Sequence, residues 1–180
     1  MMNSEEDLTI RSFKISRNLP LGTYKFRDVF SGYEVSPTMQ ELFMNPPSIF
    51  ELQKLDVEVT ADAKYMRVSD VDGRLLISPN YLRRGRKEFL YLDLIHELTH
   101  VRQFHQGHNI YDPKFRYIDR PTEIEAFTNA VAEARRIKLS NLEIYEYIRV
   151  DWISDSELEE LAERLGVPSP VKRDQLRKRI

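Results

Sequence analysis

All four histidines of this 180-residue chain, His96, His100, His105 and His108, fall within thirteen positions. The first two belong to the run His96-Glu97-Leu98-Thr99-His100, and no other feature constrains the chain as tightly. Around it Leu90, Leu94, Leu98 and Val101 repeat at helical spacing, so a helix is predicted from about Lys87 to Phe104, with Gly107 as its stop. Residues four apart on a helix share one face, one turn apart, so both imidazoles can reach a single ion. Glu97 lies about 100° around the axis from His96. From that edge its carboxylate can touch water on the ion without ligating the ion itself.

The chain has no cysteine, which removes thiolate sites, disulfides and a cysteine nucleophile. An ion must therefore be held by histidine, carboxylate and water, and zinc suits such a set. Zinc lowers the pKa of bound water toward neutrality, and a carboxylate placed like Glu97 removes the proton and later delivers it to a leaving amine. A catalytic site of this kind wants a third protein ligand. The metzincin pattern would put glycine and histidine where Gln103 and Gln106 stand, so that pattern is excluded. His105 lies about 140° around from His100. With His108 it reads as an exposed group near a helix C-terminus.

A second helix is predicted after Pro121, with Ile124, Phe127, Val131 and Ala134 facing inward. On it Glu125 and Asn129 lie four apart on one face, a carboxylate with a polar partner one turn on. We read Glu125 as the third ligand and Asn129 as a residue that orients a ligating imidazole from behind. Glu123 is the alternative. It lies about 160° from Glu125, so both cannot face the ion, and a carboxylate in a first turn is stabilised by the helix dipole in any case.

This pairing, HExxH followed about 25 residues later by a helical glutamate, resembles the gluzincin metallopeptidases and similar small intracellular zincins. The resemblance covers roughly residues 67–136. The gluzincin pattern is ExxxD, and Asn129 stands where the aspartate usually does. The resemblance implies one zinc per chain on His96, His100 and Glu125, with Glu97 as general base. It further implies that the strand before the helix, Leu75, Leu76, Ile77 and Ser78, is the sheet edge on which an extended peptide pairs. Tyr111, Tyr117 and Arg120, between the two helices, are candidates to stabilise an oxyanion.

The remaining segments fix the architecture. "NLPLGTYKFRDVFSG", broken by Pro20, Gly22 and Gly32, reads as a wrapping arm with little regular structure. Residues 56–79 alternate with a period of two around an Asp72-Gly73 turn, a strong hairpin signal. With 41% hydrophobic and 31% charged residues the chain suits one ordinary domain. The expectation is an α+β, zincin-like fold: a small antiparallel sheet on the HExxH helix, a second metal-ligand helix and a helical tail. Residues 1–153 form the metallopeptidase domain and 154–180 the C-terminal extension.

That extension, helix, Gly-Val-Pro turn and basic helix, resembles SAP-type nucleic-acid-binding motifs. Lys172, Arg173, Arg177, Lys178 and Arg179 could contact phosphates there. Packing against the main domain is the favoured reading. The net charge of −2 gives the chain no overall attraction for nucleic acid. No apolar run suits a membrane span or a signal segment, so a cytoplasmic location is expected. The expected activity is zinc-dependent hydrolysis of peptide bonds in a peptide or protein substrate. An inactive zincin scaffold, or a module directed to nucleic acid by its tail, is the alternative.

Overall fold

The computed structural model describes residues 8–44 and 48–170. The chain runs through α1 (Leu8–Ser12), β1 (Lys14–Ile15), β2 (Gly22–Lys25), α2 (Phe26–Val29), β3 (Phe30–Ser31), α3 (Pro37–Leu42) and α4 (Ile49–Leu52). Three strands follow, β4 (Asp56–Val59), β5 (Met66–Val68) and β6 (Leu75–Ile77), and then α5 (Pro79–Arg84) and α6 (Lys87–His105). The fold closes with α7 (Pro121–Arg136), α8 (Asn141–Ile148) and α9 (Asp155–Arg164). Serine caps set several helix starts. Ser36 and Ser78 accept from the backbone N–H three residues on and are each followed by proline, while Ser140 and Ser154 form capping boxes with Glu143 and Glu157.

The fold is α+β, but its four-stranded sheet is mixed. Strand order is β2-β4-β6-β5, with β4 and β6 parallel and the other pairs antiparallel. The expected hairpin is present: β5 and β6 pair around Gly73, whose φ of 73° suits glycine. The assignment of Leu75 to Ser78 as the open edge is corrected. Leu75, Leu76 and Ile77 are apolar and buried on both faces, which suits a central strand, and β6 is inserted between β4 and β5. Ser78 has left the strand to cap α5. The open edge on that side is β5, which ends the strand order. At the other side, Gly22–Lys25 of the arm is no irregular segment but the outermost strand, paired with β4.

Helix α6 is the centre of the molecule. Leu90, Tyr91, Leu92, Leu94, Ile95, Leu98 and Val101 are all buried in one core cluster with residues of the sheet, α7 and the N-terminal arm. One buried polar knot ties these layers together. Glu133 on α7, fully buried, accepts from the Tyr91 hydroxyl at 2.5 Å, from Thr38 Oγ1 at 2.6 Å and from Arg136 Nε at 2.7 Å. Glu133→Ala removes the shared acceptor of the Tyr91 and Thr38 hydroxyls and of one side of the Arg136 guanidinium, so it should cost about 2–4 kcal/mol of stability. Urea unfolding measures this, and a loss below about 1 kcal/mol would show that the knot is not structural.

Helix α9 packs on the same core through Leu158, Leu161 and Ala162, with Leu165 partly buried against it. Arg164 donates to the Ile118 carbonyl at 2.7 Å, and Arg135 to the Gly166 carbonyl at 2.8 Å. The basic residues Lys172, Arg173, Arg177, Lys178 and Arg179 lie outside the described residues. Among the described residues no helix is long and apolar enough to cross a membrane.

Candidate metal centre

Burying imidazoles and carboxylates in a core is costly unless they find partners, and α6 buries several. His96, Glu97, Thr99, His100 and Gln103 are all inaccessible or nearly so. The partners come from α7. His96 Nε2 and His100 Nε2 lie 3.2 Å apart, and Glu123 Oε2 lies 3.2 Å from the first and 3.4 Å from the second. Glu123, the alternative in the sequence, is thus the carboxylate that meets the histidines, and the reading of Glu125 in that place is corrected. Glu125 points to the neighbouring turn of α6, where Arg102 Nη2 (2.5 Å) and Gln103 Nε2 (2.7 Å) donate to it.

The sequence held a signal for this register. Glu123 extends backward the stripe of Ala126, Phe127, Ala130, Val131 and Ala134, all buried. The small alanines let α7 approach α6 closely, and that approach fixes which face of α7 turns inward. Ile124, expected inside, is only partly buried. Asn129 does not reach an imidazole; its Nδ2 donates to Thr99 Oγ1 at 3.2 Å. The residue one turn after Glu123 is Phe127, whose ring packs edge-on to His96 at 4.5 Å.

The orienting residue that sequence reasoning missed is Gln103. Its Oε1 lies 2.8 Å from His100 Nδ1, while its Nε2 donates to the Thr122 carbonyl at 3.1 Å and to Glu125. A glutamine three residues past the second histidine shares that histidine's face, which was the available clue. Glu125 therefore acts on the site at one remove, by fixing the amide that fixes His100.

Three ligand-type atoms converge, His96 Nε2, His100 Nε2 and Glu123 Oε2. His96 Nδ1, Glu97 Oε2 and Glu123 Oε2 are buried without a hydrogen-bond partner. The separations of 3.2, 3.2 and 3.4 Å match the edge of about 3.3 Å for a tetrahedron of ligands roughly 2.0–2.1 Å from a zinc ion. The group His96, His100 and Glu123 can hold a metal ion. Compared with protein-family models, with curated proteins and with solved structures, the chain matches none.

The electrostatics agree with this donor set. Burial alone would raise Glu123, yet the two imidazoles outweigh it and hold the carboxylate well below its ordinary range. Burial pulls both imidazoles down; His96 stays lowered, whereas Glu123 and Glu97 together carry His100 up to about 9. Glu97 is pushed up to about 8, chiefly by burial and further by the charge of Glu123. It also accepts from the Val68 backbone N–H of β5.

All these groups open into one cavity of about 360 Å³. Tyr111, Tyr117 and Arg120 line it, as their place between the helices suggested. Tyr111 donates its hydroxyl to the Val68 carbonyl at 2.6 Å, Arg120 Nη1 lies 3.4 Å from Glu123 Oε1, and Tyr117 is hydrogen-bonded to Glu123. His105 and His108 are exposed and take no part. Over the mouth runs the loop between α8 and α9. Asp151 accepts from the Tyr65 hydroxyl at 2.6 Å, and Trp152 packs between Tyr65 and Tyr117.

Proposed function

We propose that the protein is a zinc-dependent peptidase of zincin-like architecture, with His96, His100 and Glu123 as ligands and Glu97 as the catalytic base. The observation that carries this reading is the convergence of three donor atoms at tetrahedral spacing beside Glu97, whose Oε2 has no hydrogen-bond partner and which lines the same cavity. A zinc ion held there would supply Lewis acidity, polarising a carbonyl and acidifying water. Glu97 then takes the proton of the attacking water and passes it to the leaving amine. Arg120 and Gln103 have positioning roles: one steadies Glu123, the other fixes the ring of His100.

Strand β5 supports a peptide substrate. The Tyr65 carbonyl and the Ser69 N–H both bond toward β6, so alternation turns the backbone groups of Met66 and Val68 outward. Those of Val68 are taken by Glu97 and Tyr111, which leaves the Met66 end, on the cavity wall, for an extended chain. The test is metal removal and return. Protein stripped with a chelator should lose casein hydrolysis, and one equivalent of zinc should restore it. Hydrolysis that is indifferent to the chelator would end the reading.

A further inference from the structure

The cavity continues past the histidines along α6, one turn toward its N-terminus. Asp93 lies three residues before His96 and four before Glu97, so it shares their face and lines the same cavity. Nothing in the peptidase chemistry requires a carboxylate there. The Tyr81 hydroxyl donates to Asp93 Oδ2, and the Tyr147 hydroxyl adds a second hydrogen bond. Among the described residues it makes no ion pair.

The walls around it are aromatic. Tyr65 meets Tyr81 edge-on at 5.3 Å, Phe89 meets Tyr147 at 5.7 Å, and all four line the cavity. The cations of the cavity stand elsewhere. Lys64 is paired with Asp151 at 2.5 Å, Arg120 faces Glu123, and Arg67 and Arg149 are exposed at the rim. Burial pushes the Asp93 carboxyl up to about 6, against the two hydroxyl donors, which favour its ionised form. Among the described residues this carboxylate on the cavity wall is bonded by two neutral hydroxyls, boxed by aromatic faces and has no cation beside it.

We infer that Asp93, with Tyr65, Tyr81, Phe89 and Tyr147, forms a specificity subsite that takes a cationic group of the substrate beside the cleaved bond. The aromatic walls cover the alkyl stem of a lysine or arginine, and Asp93 receives its head. An ammonium can come from a lysine side chain or from the N-terminus of a peptide, and these two sources predict different cleavage products. The inference rests on the peptidase reading for the words "cleaved bond", but the binding of the cation does not depend on turnover.

Binding can be followed by fluorescence, because the chain's one tryptophan, Trp152, packs against Tyr65 at the cavity mouth. Zinc-loaded Glu97→Gln protein is titrated with matched alanine-rich peptides carrying lysine or norleucine, each with a free or an acetylated N-terminus. The lysine or the free amine should bind on the order of 30–100-fold tighter than its neutral counterpart. Dependence on lysine assigns a side-chain subsite, and dependence on the free amine assigns an N-terminal one. Equal affinity for all four peptides would overturn the inference, and this comparison needs no change at Asp93.

Asp93→Asn, added to that background, should bring the charged and neutral peptides to within about threefold of each other, with zinc content unchanged. An undiminished preference in a folded Asp93→Asn protein also overturns it. Wild-type protein that binds lysine peptides selectively yet cleaves none would count against the peptidase reading alone. Cleavage without any charge preference would count against the subsite alone.

Discussion

Replacing Glu123 by alanine is expected to weaken zinc binding by on the order of 10³-fold or more, as much as replacing His96 or His100. Each of the three supplies one atom to a triangle whose sides are 3.2, 3.2 and 3.4 Å, and among the described residues no other carboxylate joins that group. Glu125→Ala should cost only about 10–100-fold, because Glu125 acts through Gln103 rather than on the ion. Competition with a chromogenic chelator measures both. Equal losses at the two positions would mean that α7 is rotated from the orientation described, and a larger loss at Glu125 would displace Glu123 from the site altogether.

Glu97→Gln is expected to keep zinc and the fold while lowering peptide hydrolysis by about 10²–10⁴-fold. The amide fills the same space beside β5 but cannot take a proton from water. Glu97 is not among the three atoms that converge, so metal content should match wild type to within error. Hydrolysis of casein or of a fluorogenic peptide, read beside metal analysis of the same samples, separates the two effects. Activity retained by the zinc-loaded variant would remove Glu97 from the chemistry, and loss of zinc would make it a ligand instead.

The α6 part of this site was legible in the chain because it is local. Helical periodicity, a spacing of four between His96 and His100 and a glycine at position 107 need no knowledge of the rest of the molecule. The Asp72-Gly73 hairpin was legible for the same reason, since turn chemistry is carried by adjacent residues. The lack of cysteine, likewise, restricted any metal to nitrogen and oxygen donors before a fold was known.

What the chain alone left open were rotations and orders that depend on distant packing. Glu123 and Glu125 both sit on α7, and a turn of that helix about its axis exchanges them. The turn is decided by the buried stripe of Ala126, Phe127, Ala130 and Ala134 against α6. Asn129 and Gln103 exchanged importance by the same rotation, because a partner for an imidazole is chosen by proximity and not by pattern. Strand order was equally nonlocal. Leu75, Leu76 and Ile77 needed cover on both faces and both edges, so β6 took the centre and gave the open edge to β5. Asp93 drew no notice in the sequence, as a single acid on a helix usually faces water. Only the packing of Tyr81, Tyr147 and the walls of the cavity set it facing the cavity, with two hydroxyls as its partners.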